Sequence, residues 1–448
     1  MSLHLRHCRR WATGLGLILA LALALLAGAC GGNEGGKAEA TRTATRGPHT
    51  PIVIPAGEPI VVGISAPLTG PDGVTGMEDR DSAIAGVMRW KRANGEQIKG
   101  HDIQVRAEDD GCTEAEITIQ AAERLLSQEG LVGVIGPNCS AGAQAAIPVY
   151  AVAGVTAISG STTQSDLAET QWEGSFFFRT AYRNDLAGIL AGIFTSQVLR
   201  AQRVHLVDDG ELYGADLINH AQEVMEGFGI TVTRDSVQRG TVDFGPLAAR
   251  VAEESPDLVG FAGFNPEAAL FYRQLRDAGY KGPFGAGDAA WGPPFLDPVG
   301  PEAAEGVFFV GCALTLPDDF VADFESLHGH PPKDSAFAAQ YADAATILLD
   351  AIAKAAVEGA GGSLTIDPTA LRDAVQATRL EEGLSGLIGF DENGDRIPPG
   401  AVSLSAFVDV ATKTPDFDTF AAQLGLVACQ VQDGKTVNLT GPGGLPLR

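Results

Sequence analysis

Short apolar runs and helix-period segments alternate along most of this chain of 448 residues. The first run, residues 60–64 (IVVGI), is continuous and apolar, which is typical of a strand buried on both faces. Helical segments of roughly ten to fifteen residues separate such runs, and this alternation indicates βαβ units that form a parallel sheet covered by helices. Because the alternation of strand and helix patterns starts again after Arg179, we predict an α/β fold with two lobes.

The same periodicities predict the individual elements. The predicted strands span residues 60–64, 101–106, 131–135, 156–158, 204–207, 230–237, 258–261 and a short run near Phe284. The predicted helices span residues 77–94, 114–128, 140–150, 184–198, 214–228, 244–253, 266–278, 319–328, 336–357 and 368–378. Residues 390–395 predict a hairpin turn. In open α/β sheets ligands bind beyond the carboxyl ends of the strands, so a site is expected in the loops that face the cleft between the lobes.

The N-terminal 29 residues have the pattern of a secretory signal peptide. Arg6, Arg9 and Arg10 precede an apolar run over residues 15–27, and small residues follow it. The run is shorter than the ~20 residues of a membrane-spanning helix. We therefore predict a signal peptide over residues 1–29 and export from the cytoplasm.

The segment after the signal predicts a lipid anchor and a tether. Ala27-Gly28-Ala29-Cys30 resembles a bacterial lipobox, which implies a lipid on Cys30. The alternative is an ordinary signal peptide that is cut nearby, with Cys30 incidental. Residues 31–51 contain no Val, Ile, Leu or aromatic residue, so they have no core to bury. We assign residues 30–57 to the lipidated cysteine and a flexible tether.

The charge of the chain excludes one class of partner. The formal net charge is −25, and removal of residues 1–29, which hold three arginines and no acid, takes it to −28. A surface this acidic makes nucleic acid an unsuitable electrostatic partner.

Motifs of enzymes and metal sites fail when their context is considered. No Walker A, H-E-x-x-H or G-x-S-x-G motif occurs. Residues 285–290 match a dinucleotide pattern, but Gly292-Pro293-Pro294 follow where its helix should run. His328-Gly329-His330 is interpreted as an exposed helix end, and residues 391–395 as a turn rather than a calcium loop. We predict no enzyme activity, no cofactor and no metal.

Two loops of small polar residues follow neighbouring predicted strands. Gly136-Pro137-Asn138-Cys139-Ser140 leads into a helix, whose free backbone N–H groups and positive dipole end suit a carboxylate. The next strand runs into the loop Ser159-Gly160-Ser161-Thr162-Thr163. Together these loops are suited to an anionic head group without help from Arg or Lys.

With six further segments, these loops resemble the branched-chain amino-acid-binding proteins of ABC transporters, the type I periplasmic binding protein family. The matching segments, in order, are residues 62–71, 108–112, 136–140, 158–163, 177–180, 213–214, 264–268 and 390–396. The resemblance implies two Rossmann-like lobes with parallel sheets and three inter-lobe crossings, near residues 180, 314 and 390. It assigns residues 58–180 and 315–390 to lobe 1, residues 181–314 and 391–435 to lobe 2, and residues 436–448 to a C-terminal tail.

The resemblance also implies how a ligand head group is held. Ser140 matches the serine that binds the ligand carboxylate. Ser161 and Thr163 match the residues that offer a backbone carbonyl, a hydroxyl and an N–H group, and Asp288 matches the acid that pairs with the ligand ammonium. The residues alone leave other roles open: Ser140 as a helix cap only, and Thr163 and Asp288 as turn residues.

Five other positions concern the side walls of the expected pocket. Tyr213 and Phe264 match aromatic wall residues, with a place in the core as the alternative. Thr75 stands where many members have an aromatic residue, and Asn138 where leucine receptors have an apolar one. Trp291 offers an aromatic wall three residues beyond Asp288. These departures favour a larger, aromatic or more polar ligand than leucine.

The resemblance implies a disulfide between Cys112 and Cys139, which export allows. Counting suggests a second pair, Cys312 with Cys429, because Cys8 leaves with the signal peptide and Cys30 carries the lipid.

The function implied by the resemblance is that of a membrane-anchored, extracytoplasmic solute receptor. We expect a monomer that binds an amino acid, or a related small polar or aromatic carboxylate or amide, and delivers it to an ABC permease. A ligand-sensing module that feeds a signalling partner is the alternative, and an enzyme on an α/β scaffold is a third hypothesis.

Overall fold

The computed structural model describes residues 50–168, 175–397, 426–433 and 435–439. The predicted signal peptide, Cys30, residues 31–49 of the tether and most of the C-terminal tail lie outside these residues. Among the helices in the described ranges, none is both long enough and apolar enough to cross a membrane.

The described part of the chain alternates strands and helices from end to end. The strands are β1 (Ile52–Ile54), β2 (Ile60–Ala66), β3 (Gln97–Ile98), β4 (His101–Asp109), β5 (Leu131–Ile135), β6 (Thr156–Ser159), β7 (Phe177–Arg179), β8 (Arg203–Asp208), β9 (Thr231–Ser236), β10 (Leu258–Ala262), β11 (Phe284–Gly287), β12 (Phe308–Val310), β13 (Ala356–Glu358), β14 (Leu364–Ile366), β15 (Leu380–Gly383), β16 (Gly386–Phe390), β17 (Arg396–Ile397), β18 (Ala428–Gln432) and β19 (Lys435–Asn438). The helices are α1 (Gly73–Asn94), α2 (Ala115–Leu126), α3 (Ser140–Ala153), α4 (Asn184–Ile193), α5 (Leu212–Gly227), α6 (Gly245–Glu254), α7 (Glu267–Asp277), α8 (Pro293–Val299), α9 (Asp318–His328), α10 (Ala338–Ala355) and α11 (Pro368–Gln376).

The first large sheet has six strands in the order β3-β4-β2-β5-β6-β7. Every pair is parallel except β3 with β4. Strand β2 is central and buried along its whole length, which agrees with its continuous apolar sequence. Helices α1 and α10 pack on each other, and α10 also contacts β5 and β6.

The second large sheet has seven strands in the order β19-β18-β12-β11-β10-β8-β9. The five strands from β8 to β12 are parallel, and the last two, β18 and β19, are antiparallel additions at one edge. Two predominantly parallel sheets joined by helical crossovers confirm the predicted α/β class. The chain leaves the first sheet after β7 and the second after β12, which is consistent with the crossings predicted near residues 180 and 314.

Two small antiparallel sheets, β1-β14-β13 and β15-β16-β17, complete the fold. The structure differs from two predicted segment boundaries. Strand β1 pairs with β14 and buries Ile52 and Ile54, so these residues of the segment assigned to the tether are part of the fold. The apolar alternation of these residues explains the difference, since they have a face to bury. Strand β19 extends to Asn438 in the second sheet, beyond the start of the predicted tail.

The predicted hairpin is present. Phe390 pairs with Arg396 across a turn in which the Asp391 carboxylate accepts the N–H groups of Asn393 and Asp395. Two predicted helices end differently in the structure. Residues 194–198 form a π-helical turn after α4, and the helix predicted over residues 336–357 ends at Ala355, before β13.

Both cysteine pairs expected from the sequence are disulfide-bonded. Cys112–Cys139 joins the loop after β4 to the loop after β5. Cys312–Cys429 joins the residues after β12 to β18, and so fixes the C-terminal hairpin to the second sheet.

Candidate ligand-binding site

A cavity of about 350 Å³ lies where the loops of the two large sheets meet. It is bordered by the chain beyond β2, β5 and β6 of the first sheet and beyond β8, β10 and β11 of the second. Eight of the nine predicted ligand residues line it, and they are Thr75, Asn138, Ser140, Ser161, Tyr213, Phe264, Asp288 and Trp291. Thr163 is not among the lining residues. Its side chain is buried and its hydroxyl has no hydrogen-bond partner within the described ranges.

The N-terminus of α3 forms one wall of the cavity. Ser140 is the first residue of this helix, and its hydroxyl accepts the Gln164 N–H at 3.3 Å instead of capping its own helix. Among the described side chains, none caps the α3 N-terminus, so its first N–H groups remain available. Such a helix end favours a carboxylate.

A buried hydrogen-bond chain fixes the loop after β6 against the loop after β5. The Asn138 side-chain amide donates to the Tyr341 hydroxyl at 2.9 Å, and the Tyr341 and Ser161 hydroxyls are 2.7 Å apart. Ser161 in turn donates to the backbone carbonyl of Asn138 at 2.6 Å. The polar surface of this wall is therefore held rigidly in place.

A buried arginine holds the same loop from behind. The Arg179 guanidinium donates to the backbone carbonyls of Thr162, Gln164 and Ser165 and pairs with Asp395 at 2.6 Å. Both side chains of this pair are fully buried. The resemblance singled out the segments of Arg179 and Asp395, but only the structure shows that they meet beneath the loop.

Asp288 lies at the opposite side of the cavity, just after β11. Its carboxylate accepts the Tyr182 hydroxyl at 2.7 Å, and the Tyr213 hydroxyl lies beside it. Burial raises the pKa of Asp288 from 3.8 to about 6, although the hydrogen bonds from Tyr213 and Tyr182 lower it. Within the described part of the chain, no cationic side chain pairs with this carboxylate. The site therefore presents a carboxyl group suited to a ligand cation.

The remaining wall on this side is aromatic. The Tyr213 and Phe264 rings have centroids 5.4 Å apart, and the Arg239 guanidinium lies 4.1 Å from the centroid of the Phe264 ring. Arg239 also pairs with Asp72, which precedes α1, and so connects the two sides of the cleft. Trp291 is 9% exposed, and its indole N–H is without a partner in the described residues. A ligand acceptor would satisfy this donor.

Asp79 and Tyr182 are site residues that the sequence did not reveal. Asp79 lies on α1 among the buried small residues Ser82, Ala83 and Gly86. The sequence held one signal for Asp79, namely an acidic residue on the face of a helix that otherwise carries small residues. The prediction of α1 used the larger apolar side chains of this helix instead and so did not include Asp79 in the site. Tyr182 had no such signal, because its contact with Asp288 bridges 106 residues.

A glycine next to Asp288 makes a testable steric prediction. Gly311 has a φ of +83°, and a Cβ there would lie 1.9 Å from the Tyr182 hydroxyl oxygen. We expect Gly311→Ala to destabilise the protein by about 1–3 kcal/mol, measured by urea denaturation, and to weaken ligand binding. Gly300→Ala is the matched control, because Gly300 has a φ of +85° with open space around it. Equal losses of unfolding free energy in both variants would contradict a steric role for Gly311.

The two histidines at the end of α9 are less exposed than predicted. His328, the last residue of the helix, packs on the Phe324 ring, and its Nδ1 lies 2.6 Å from the Asp81 carboxylate, so it is partly buried and hydrogen-bonded. His330 lies near Glu78 and Asp334, and the donor atoms of these three residues are within 4.8 Å of one another.

The acids of that set are already engaged. The Glu78 carboxylate accepts three backbone N–H groups, from residues 333–335. The Lys333 ammonium binds the Asp334 carboxylate at 2.9 Å. We therefore assign no metal to this cluster.

Comparison with known proteins finds relatives that are binding proteins for small solutes. An amino-acid-binding protein of Pseudomonas aeruginosa is 30% identical over 230 residues, which cover 51% of this chain and 60% of that protein. A leucine-, isoleucine-, valine-, threonine- and alanine-binding protein of the same organism is 26% identical over 356 residues, covering 76% of this chain and 88% of the relative. The crystal structure of a leucine-binding protein, LivK of Thermotoga maritima, has the same fold, with a TM-score of 0.69 and 24% identity over 86% of this chain and 99% of that one.

One family model matches most of the chain. Residues 59–413 match the periplasmic binding protein family, and this range includes both large sheets up to β12 and every predicted ligand residue. The matched relatives are binding proteins rather than enzymes. The chain therefore belongs to the periplasmic binding protein family, whose members are extracytoplasmic solute-binding proteins.

Proposed function

We propose that this protein captures an α-amino acid, or a closely related small carboxylate or amide, in the cleft and delivers it to an ABC permease. In this proposal a lipid on Cys30 holds the protein at the membrane. The observation that carries the proposal is Asp288, a buried carboxyl group without a cation in the described residues, on the cleft wall opposite the uncapped N-terminus of α3.

These two features complement the two charges of an amino-acid head group. The carboxylate of the ligand would receive N–H groups of α3 and the Ser140 hydroxyl, and its ammonium would pair with Asp288. Burial of Asp288 without a counter-charge is unfavourable and raises its pKa. A bound ammonium group would offset this cost by pairing with the carboxylate. The names of the relatives, which bind amino acids, support the same ligand class.

The division of these groups between the sheets explains how binding would favour closure. Ser140 follows a strand of the first sheet, whereas Asp288 follows a strand of the second. A ligand shifts a conformational equilibrium only by its difference in affinity for the two states. A head group that contacts both sides at once binds the closed state more tightly, and closure is the signal that a permease would read.

Binding should depend on pH through Asp288. Its pKa of about 6 in the empty protein means that the carboxyl group is protonated below this pH, and the protonated form does not pair with an ammonium group. The affinity for an amino acid with an uncharged side chain is therefore expected to be nearly constant above pH 7 and to fall about tenfold per pH unit below pH 6. Calorimetric titrations between pH 5 and pH 8 test this, and an affinity that stays constant over that range contradicts the role of Asp288.

A thermal-shift screen of the purified protein tests the proposed function. The panel contains the L-amino acids, their D-enantiomers, carboxamides, urea and aromatic acids. A ligand at a hundred times its Kd is expected to stabilise the protein by about 2.7 kcal/mol. Stabilisation by L-amino acids supports the proposal, and stabilisation by urea or aromatic acids alone overturns the amino-acid assignment. Loss of uptake of the labelled ligand after deletion of the gene separates transport from sensing.

A further inference from the structure

The cleft contains one more unpaired carboxyl group than an amino-acid head group requires. Asp79 and Asp288 both line it, with exposed fractions of only 1% and 4%. Neither lies within ion-pair distance of a Lys, Arg or His side chain in the part of the chain that the structure describes. The head group of the ligand accounts for Asp288 alone, so Asp79 is left without a cation.

The other aspartates of the cleft differ from these two. Asp72 pairs with Arg239, and Asp334 pairs with Lys333. Asp297 lies on the rim and is exposed to water. These three carboxylates are paired with a cation or hydrated, so they need no cation from a ligand.

Asp79 is held by neutral donors only. The Asn138 side-chain amide donates to one of its oxygens at 2.6 Å, and the Ser335 hydroxyl donates to the other. A carboxylate has about four acceptor sites, so two bonds leave capacity for a ligand donor. The titratable groups that face Asp79 are Glu78 on its own helix, Asp110 beyond β4 and Tyr341 on α10, and none of them is a cation.

The wall around Asp79 is polar, which does not suit a leucine side chain. Asn138, Ser161 and the small polar residue Thr75 line the same cavity. An aliphatic side chain placed here would offer no donor to the remaining acceptor capacity of the buried Asp79 carboxyl group, which is costly. Trp291, nine-tenths buried with an unpartnered indole N–H, gives the cavity a further polar group and an aromatic surface that suits a cation.

We infer that the ligand is a basic amino acid such as L-lysine, L-ornithine or L-arginine, whose side-chain cation pairs with Asp79. This inference rests on the proposed function, in which Asp288 pairs with the α-ammonium group. Two buried carboxyl groups without cations then match the two cationic groups of one ligand. Asn138 and Ser335 position Asp79 for this contact.

Titration with L-lysine and L-norleucine tests the inference, because norleucine has the same carbon chain without the ε-amine. We expect the wild-type protein to bind L-lysine at least about thirtyfold more tightly than L-norleucine. In Asp79→Asn this ratio is expected to fall to near one. Asp297→Asn, which removes a charge from the rim, is expected to keep the wild-type ratio.

Proton release gives a second readout that a merely structural role would not change. Burial raises the pKa of Asp79 from 3.8 to about 8, so the group is mostly protonated in the empty protein at pH 7. Pairing with a cation requires the carboxylate. L-Lysine is therefore expected to release close to one proton more than L-norleucine, measured by calorimetry in buffers of different ionisation enthalpy, and Asp79→Asn is expected to abolish the difference.

The outcomes separate this inference from the proposed function. If L-leucine, L-norleucine or L-glutamine binds the wild-type protein as tightly as L-lysine, the basic ligand class is overturned and the amino-acid assignment stands. If L-lysine keeps its advantage in Asp79→Asn, the role of Asp79 is overturned. If no α-amino acid binds, the amino-acid assignment of the proposed function fails, and the inference fails with it.

Discussion

Replacing Asp288 with asparagine is expected to weaken the binding of an α-amino acid by about 2–5 kcal/mol, while the ligand-free protein becomes more stable. The loss of affinity follows because the ligand ammonium would be buried without a counter-charge. Asparagine keeps the shape of the side chain and an oxygen that accepts the Tyr182 hydroxyl, so the cavity itself is preserved.

The gain in stability follows from the direction of the pKa shift. Burial raises the pKa of Asp288 to about 6 in the folded protein, whereas the unfolded chain keeps a value near 3.8. A raised carboxyl pKa means that stability is lost as the pH rises from the unfolded value through the folded one, and at pH 7 the whole of this loss, up to about 3 kcal/mol, is present. Asparagine cannot ionise, so we expect it to recover about 1–2 kcal/mol.

Two measurements decide this prediction. Calorimetry gives the affinity, and urea denaturation gives the free energy of unfolding of the empty protein. Asp297→Asn is the charge-matched control on the exposed rim of the cleft, and its effect on affinity is expected to stay below about 1 kcal/mol. An Asp288→Asn variant that loses stability and keeps its affinity would make Asp288 a structural residue.

Replacing Arg179 with methionine is expected to cost about 3–5 kcal/mol of folding free energy. The Arg179 side chain is fully buried and donates to three backbone carbonyls and to Asp395. Methionine fills much of the volume but leaves the carbonyls of Thr162 and Ser165 without this donor, and each then carries an unrecovered desolvation cost. The Gln164 carbonyl keeps only the Leu167 N–H at 3.4 Å. Arg183 also binds Asp395, so this carboxylate keeps one of its two cationic partners.

The same change should weaken ligand binding, because Arg179 holds the loop that carries Ser161 and Thr163. Urea denaturation measures the first effect and calorimetry the second. Arg89→Met provides the comparison, because it removes an exposed ion pair. The Arg89 side chain is 36% exposed, and that of its partner Asp319 is 53% exposed. That variant is expected to change stability by less than about 1 kcal/mol. Similar losses of unfolding free energy in the two variants would show that the buried hydrogen bonds of Arg179 stabilise the protein no more than an exposed ion pair does.

The helices and strands of this protein were predictable because each large sheet is built from local βαβ units. The run at residues 60–64 became the central strand β2, and the helix predicted over residues 114–128 is α2, Ala115–Leu126. Apolar periodicity is a local property, so it fixes such elements without knowledge of their partners. The residues at the ends of these strands, including Ser140, could be placed at the cleft by the same rule.

Contacts across long sequence distances could not be predicted in this way. The bond from Tyr182 to Asp288 and the contact of Asp79 with Ser335 join residues 106 and 256 positions apart. Strand β1 was missed for a related reason, because its three residues are stable only when paired with β14. The polar lining of the pocket, and with it the expected ligand class, depends on such pairings.

The most direct test of the cleft as an amino-acid site is a crystal structure of the protein with the most stabilising amino acid of the panel. The ligand carboxylate is expected at the N-terminus of α3, within hydrogen-bond distance of Ser140, and its ammonium nitrogen within about 3 Å of the Asp288 carboxylate. An amino acid bound outside the cleft, or bound with its ammonium group away from Asp288, would contradict the proposed site.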